Sequence, residues 1–319
     1  MAETSPWADI ALPSIDFNVR QVHGETAVPC FWGRDTTGSC LFIIELDGDH
    51  IEQFRKNLVT VQGIDVDLRA RGSQQLVLTL DKQVDRDLFE GLCRTLSLAL
   101  ENASDSSSAL AVALAHIRRW KSFLSGRSHH LSAEEVRGLF CELTFLLELT
   151  KYLGSPTKAV QAWLGPQKSH QDFAFGNTSV EIKSLSGAER SNIRISSEDQ
   201  LESLNDALFL RIYRLSSISD ANGSQSLNEI IAKVQSRLDE DVAVDDFDRK
   251  LALQGYAPLP EYDMPRFVLS DLTSYRVVEG FPRIIRSQLP SGIDRVTYDI
   301  RLEAIAKYKC NNTEVMGAN

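Results

Sequence analysis

The sequence predicts an α/β protein: a mixed sheet flanked by helices, preceded by a β-rich N-terminal region and followed by a small C-terminal β extension. Three observations predict it. Short alternating polar and apolar runs fill Phe17 to about Leu80. A long amphipathic pattern follows at 132–153. Directly after that pattern, alternation returns on both sides of Gly176-Asn177 and again over 207–215. Alternation with period two marks half-buried strands, whereas apolar residues three and four apart mark a helix.

The elements follow in chain order. Strands are expected at 41–46, 64–70 and 75–80, separated by the turn signals Asp47-Gly48 and Gly72-Ser73. Helical patterns occupy 85–100 and 109–124, with the Ser-rich run 104–108 between them, where we place a soft domain boundary. In 132–153, Ser132 and Glu135 form a capping box, and Val136, Leu139, Phe140, Leu143 and Leu147 recur at helical spacing. A mixed stretch spans 156–166, two strands run from Asp172 to Ser184, and a short helix opens at Ser197. Helices are expected at 225–238 and 244–253, and strands at 266–271, 273–280 and within 293–305. The expected division is 1–105, 106–255 and 256–319.

Composition narrows the class. The chain has 319 residues, 43% of them hydrophobic, enough for a sizeable core in one large or two ordinary domains. No run approaches the roughly 20 apolar residues that span a bilayer, and no leader pattern opens the chain, so a soluble cytoplasmic protein without membrane partners is expected. Cys30, Cys40, Cys93, Cys141 and Cys310 are odd in number and lack a Cys-x-x-Cys pair, which reads as reduced thiols. A formal charge of −10 argues against binding nucleic acid through bulk electrostatics, so any DNA contact must be local.

The chemistry concentrates at 172–184. Counting outward from a two-residue turn at Gly176-Asn177 pairs Phe175 with Thr178, Ala174 with Ser179, Phe173 with Val180 and Asp172 with Glu181. Phe173, Val180 and Ile182 then share one face, and Asp172, Glu181 and Lys183 the other. Opposed carboxylates with β-carbons about 4.5–5.5 Å apart repel unless a cation intervenes. A hard divalent ion such as Mg²⁺, held by Asp172, Glu181 and the Ile182 carbonyl, answers that need. Lys183 can orient or deprotonate water and offset phosphate charge. Glu142 lies on the apolar face of its helix among Leu139, Leu146, Leu149 and Leu153, where a charge should be paired or bound to metal.

The order of Glu142 in 138-GLFCEL-143, then Asp172, then Glu181-Ile182-Lys183 resembles the PD-(D/E)XK nuclease superfamily. The wider string 161-QAWLGPQKSHQDFAFGNTSVEIKS-184 followed by 195-ISSEDQL-201 resembles the bacterial PD-(D/E)XK motif family DUF4420. The resemblance implies a restriction-endonuclease-like core, with Asp172 and Glu181 as metal ligands, Lys183 as the catalytic lysine and Glu142 touching metal directly or through water. Gln200 matches a glutamine often seen on the following helix. Gln171 stands where the namesake proline would be, at a position tolerant of change in the superfamily. The family's genomic neighbours imply restriction or phage defence by association.

Plainer readings stand beside these. Asp248-Arg249-Lys250 is a second acid-x-Lys triplet, in an expected helix without a hairpin. Ser197 and Gln200 could simply be a capping box, and Glu142 a salt-bridged edge residue. Lys168, Arg190 and Arg194 flank the hairpin and can meet phosphates or merely solvent. His129, His130 and His170 lack the partner spacing of a zinc site. The expected activity is Mg²⁺-dependent hydrolysis of DNA, with Mn²⁺ as a substitute, water attacking in line. A homodimer suits an enzyme whose site cuts one strand, and no Gly-x-x-x-x-Gly-Lys loop is present, so a partner ATPase or methyltransferase would supply other steps. Two alternatives stay open: a non-catalytic nucleic-acid-binding or assembly subunit that keeps the fold, and a structural protein in which the hairpin register is wrong.

Overall fold

The computed structural model describes residues 5–22, 26–61, 63–71, 73–81, 85–124, 130–167, 169–187, 191–217, 223–238, 240–293 and 295–317. The chain is mixed α/β and divides into two compact units, Met1–His130 with Gly255–Leu259, and Leu131–Gln254 with Pro260–Asn319. Among the described residues no helix is long and apolar enough to cross a membrane.

The first unit holds an antiparallel sheet of β1 (Phe17–Gln21), β2 (Cys30–Asp35), β3 (Cys40–Leu46), β4 (Ile64–Arg71) and β5 (Ser73–Leu80), in the order β1-β2-β3-β5-β4. A short helix α1 (Ile51–Lys56) follows β3. The strands arise where the alternating runs were expected, although the central β3 is buried on both faces; Leu41, Ile43 and Val77 share one of them with Phe17 and Phe31. Two helices, α2 (Arg86–Leu100) and α3 (Ser106–Leu124), pack on each other. The Ser-rich run lies inside this unit and opens α3, because Asp105 Oδ1 accepts the Ser108 N–H at 2.8 Å and its carbonyl accepts that of Ala109.

In the second unit α4 (Ala133–Leu153) starts on the expected capping box: Ser132 Oγ accepts the Glu135 N–H and Glu135 Oε2 accepts that of Ser132, at 3.2 and 2.8 Å. Gly154 ends it at φ 61°, a left-handed cap where glycine carries no Cβ penalty. Then come α5 (Pro156–Ala162), β6 (Phe173–Phe175), β7 (Thr178–Ser186), β8 (Asn192–Ile195), β9 (Ala207–Ser217), α6 (Leu227–Gln235), α7 (Asp241–Leu253), β10 (Phe267–Arg276), β11 (Tyr298–Arg301), α8 (Leu302–Ile305), β12 (Lys309–Cys310) and α9 (Asn312–Val315). The sheet order is β12-β10-β9-β7-β6, with β7 and β9 parallel and the other pairs antiparallel. A separate ribbon joins β8 to β11.

Two expectations change here. The strands expected at 266–271 and 273–280 are one strand, β10, interrupted by a bulge at Ser270, whose hydroxyl donates to the Arg214 carbonyl at 3.0 Å. It pairs along β9, so the segment expected as a C-terminal extension supplies an inner strand of the second unit's sheet. Of 293–305, only Tyr298–Arg301 is strand, and α8 follows at once.

Candidate active site

The hairpin that carries the acidic motif forms with the expected turn. Gly176 has φ 53° while Asn177 does not take positive φ, the pattern of a turn with glycine at its first central position. Phe175, Ala174 and Phe173 pair with Thr178, Ser179 and Val180 as counted. The fourth expected pair, Asp172 with Glu181, is absent from the ladder. The chain leaves the sheet at Asp172 because its carbonyl accepts the N–H groups of Leu164 and Gly165, at 2.7 and 3.0 Å. Asp172 keeps its place beside β7 through its side chain, with Oδ2 accepting the Ile182 N–H at 2.7 Å.

One cleft of about 460 Å³ gathers Glu142, Asp172, Glu181, Ile182, Lys183 and Gln200. With Asp172 and Glu181 lining the same cleft, the wrong-register alternative loses its basis. Phe145 packs on Phe173, ring centroids 4.8 Å apart, on the face that also bears Arg211, and Glu142 enters the cleft one turn earlier. Its carboxylate is fixed by the Trp163 indole, which donates to Oε2 at 2.7 Å, with Gln254 Nε2 at 3.5 Å. Lys250, a member of the second acid-x-Lys triplet, is buried in α7 and donates to the carbonyls of Val160 and Trp163 at 2.6 and 2.8 Å. Its triplet partner Asp248 accepts from Gln235 at 2.8 Å, so that triplet is structural.

Gln200 does not close a capping box. Ser197 Oγ accepts the Asp199 N–H, while Gln200 Oε1 accepts from Ser196 N at 2.9 Å and Lys183 Nζ at 3.1 Å. The amide therefore belongs to the cleft. His170 lies outside it, near Asp199 at 3.7 Å. Arg194 lines the cleft, whereas Lys168, Arg190 and His129 fall outside the described residues.

The electrostatics are those of too many carboxyl groups for one ammonium. Glu181 is 1% exposed and neither carboxylate oxygen accepts a directed hydrogen bond; Lys183 Nζ makes an ion-pair contact with Oε1 at 2.9 Å. Burial, then the neighbouring Asp172, pushes the Glu181 carboxyl up to about 8. Burial raises Glu142 well above the ordinary carboxyl range, with Asp172 adding to the effect, and burial also raises Asp172 against the opposing pull of Lys183. Burial disfavours the Lys183 charge, but Glu181 and Asp172 outweigh it and hold the ammonium protonated. Of the roles expected for Lys183, orienting water and offsetting charge suit this state.

With two further carboxyl groups sharing the one ammonium and Glu181 Oε2 without a partner among the described residues, the cluster either keeps protons or takes up a further cation. That is the fit a divalent ion requires, and all-oxygen donors suit a hard one. Among the described residues no three His, Cys, Asp or Glu side chains form a ready-made cage. The donor set is therefore sparse, with Asp172, Glu181, Glu142 and the Ile182 carbonyl at hand and room for water.

The family described as "Putative PD-(D/E)XK family member (DUF4420)" matches residues 4–303. The chain belongs to this DUF4420 family. No curated protein and no solved structure matches it. DUF4420 membership points to a nuclease-like function, and PD-(D/E)XK nucleases generally use divalent metals. Trp163 and Gln254 were missed by sequence reasoning; of the two only Trp163 had a signal, since it falls within the family-like string around the hairpin.

Proposed function

We propose that the chain is a metal-dependent DNA endonuclease that hydrolyses phosphodiester bonds, in bacterial restriction or phage defence, on a restriction-endonuclease-like core built around β6, β7, β9 and α4. The observation that carries the reading is the buried Glu181 carboxylate, with Lys183 alone against Oε1 and no partner on Oε2 among the described residues, in one cleft with Asp172 and Glu142. Asp172, Glu181 and the Ile182 carbonyl would hold Mg²⁺, or Mn²⁺ in its place, with Glu142 assisting. Such an ion, when bound, supplies Lewis-acid polarisation of the phosphate and a more acidic water.

The chain's own residues do the rest. Asp172, tied to the Ile182 N–H, presents its other oxygen to the cleft. Lys183, held as an ammonium, donates to the attacking water or a phosphate oxygen and offsets the charge that grows there. Gln200 accepts from Lys183 at 3.1 Å and so aims that ammonium. Trp163 holds Glu142 in place.

The test is Mg²⁺- and Mn²⁺-dependent cleavage of plasmid and phage DNA by wild type, Asp172→Ala and Lys183→Ala. Wild type should cut and both variants should lose at least about a hundredfold in rate, the scale of removing one electrostatic group from a reacting centre. Intact DNA together with a melting temperature that metal leaves unchanged would instead support a binding or assembly subunit.

A further inference from the structure

Beyond the reacting centre, the cleft has an outer wall that the chemistry above does not use. We infer that Arg137 and Gly138 on α4, with Arg194 on β8, receive the sugar–phosphate backbone of the DNA, the two arginines taking phosphates next to the one at the carboxylates. The inference rests on the nuclease reading and adds where its substrate lies.

Gly138 is the first observation. It sits in the interior of α4, where glycine costs about 1 kcal/mol relative to alanine. No packing requires it, since an added Cβ would meet nothing within 4 Å, and its φ is not positive. Yet it lines the cleft, one helical turn before Glu142. A glycine that neither its backbone nor its neighbours demand is explained by close approach of something to the helix surface.

Arg137 is the second. Its Nε is buried and has no hydrogen-bond partner among the described residues, although the side chain lines a polar cleft. A desolvated N–H left unsatisfied is costly, and a phosphate offers the planar fork two oxygens. On β8, Ile193 and Ile195 are buried while Asn192 and Arg194 are exposed, which turns Arg194 to the same cleft. Glu134 and Asp299 also line it, but among the described residues neither forms an ion pair with either arginine. In a chain of net charge −10, two arginines without an ion pair among the described residues, at the mouth of an acidic site, are the local cations that a polyanion needs.

The experiment measures binding of a fluorescein-labelled DNA duplex by anisotropy in Ca²⁺, over a NaCl series, beside melting temperatures. Arg137→Met and Arg194→Met should each weaken binding about tenfold at low salt and reduce the slope of log K against log salt by about 1, with melting unchanged or raised. Gly138→Ala should raise the melting temperature and weaken DNA binding, opposite signs that a structural role does not produce. Lys309→Met serves as a charge control and should match wild type. Wild type that binds and cuts DNA, with the three variants retaining its affinity and slope, would overturn this assignment and leave the nuclease reading standing. A wild type that binds no duplex overturns both.

Discussion

The Trp163 indole N–H and Glu142 Oε2 stand 2.7 Å apart, joining the segment before the hairpin to the long helix. The contact does two things. It satisfies a carboxyl group in a desolvated place, and it lowers the cost of ionising Glu142 against burial and Asp172. Trp163→Phe keeps the ring and removes the donor. We expect a loss of about 1–3 kcal/mol in urea unfolding and weaker Mn²⁺ binding by calorimetry, because Glu142 then ionises less readily. Unchanged Mn²⁺ affinity would remove Glu142 from the metal's surroundings.

Gly165 yields a sharper steric prediction. A Cβ there would stand 2.9 Å from Glu142 Oε2 and 3.1 Å from Asp172 Oδ1, closer than side chains tolerate. Its φ is not positive, so alanine fits the backbone and clashes only with the two carboxylates. Overpacking of this kind costs about 1–3 kcal/mol. Gly165→Ala should fold, with a modestly lower melting temperature, and bind Mn²⁺ at least about tenfold more weakly, equivalent to 1.4 kcal/mol. Wild-type Mn²⁺ affinity in this variant would show that the space between the carboxylates holds no ion.

How far the sequence carried depends on the distance between interacting residues. Ser132 and Glu135 are three apart, and Phe173 and Val180 are joined by a two-residue turn, so both contacts follow from spacing. Gln200 shows the limit: Ser197-x-x-Gln200 has capping-box spacing, but Lys183, 17 residues earlier, competes for the amide oxygen. Lys250 reaches Trp163 across 87 residues and Gln254 reaches Glu142 across 112, and no local pattern encodes either. Asp172 was legible as a site residue but not in its backbone role, because the Leu164 and Gly165 N–H groups that draw its carbonyl out of the ladder lie outside the hairpin.

The raised Glu181 carboxyl fixes the sign of a pH effect. Its folded value of about 8 lies above the ordinary 4.5, so the folded state keeps a proton that the unfolded state gives up. Between those values the folded state binds more protons, and metal-free stability falls as pH rises. Metal binding must expel that proton, so Mn²⁺ affinity should climb with pH and level off above about 8. Melting curves in EDTA from pH 5 to 8, wild type against Glu181→Gln, isolate the contribution. The two proteins should diverge, with wild type losing ground toward pH 8; parallel curves would contradict it.

Arg211 tests the scaffold separately from the site. It is wholly buried on β9, ion-paired to Glu148 of α4, and donates to Tyr213 Oη at 2.9 Å, Ser274 Oγ at 3.2 Å and Asn312 Oδ1 at 2.6 Å. The guanidinium also lies 5.3 Å from the Phe145 ring centre, so one side chain ties helix, sheet and C-terminal segment together. Arg211→Met would leave Glu148 partly buried without its cation, a loss of about 3–5 kcal/mol for breaking one side of such a pair. Arg211 pairs in register with Ile182, and its side chain therefore shares the face opposite Glu181 and Lys183. The prediction is a large drop in urea midpoint with Mn²⁺ affinity of the folded protein changed less than about threefold, well under the 1.4 kcal/mol of a tenfold effect. Adding Glu148→Leu should restore part of the stability, since the stranded carboxylate is then gone; a double variant no better than the single one would place the loss in the Tyr213, Ser274 and Asn312 contacts.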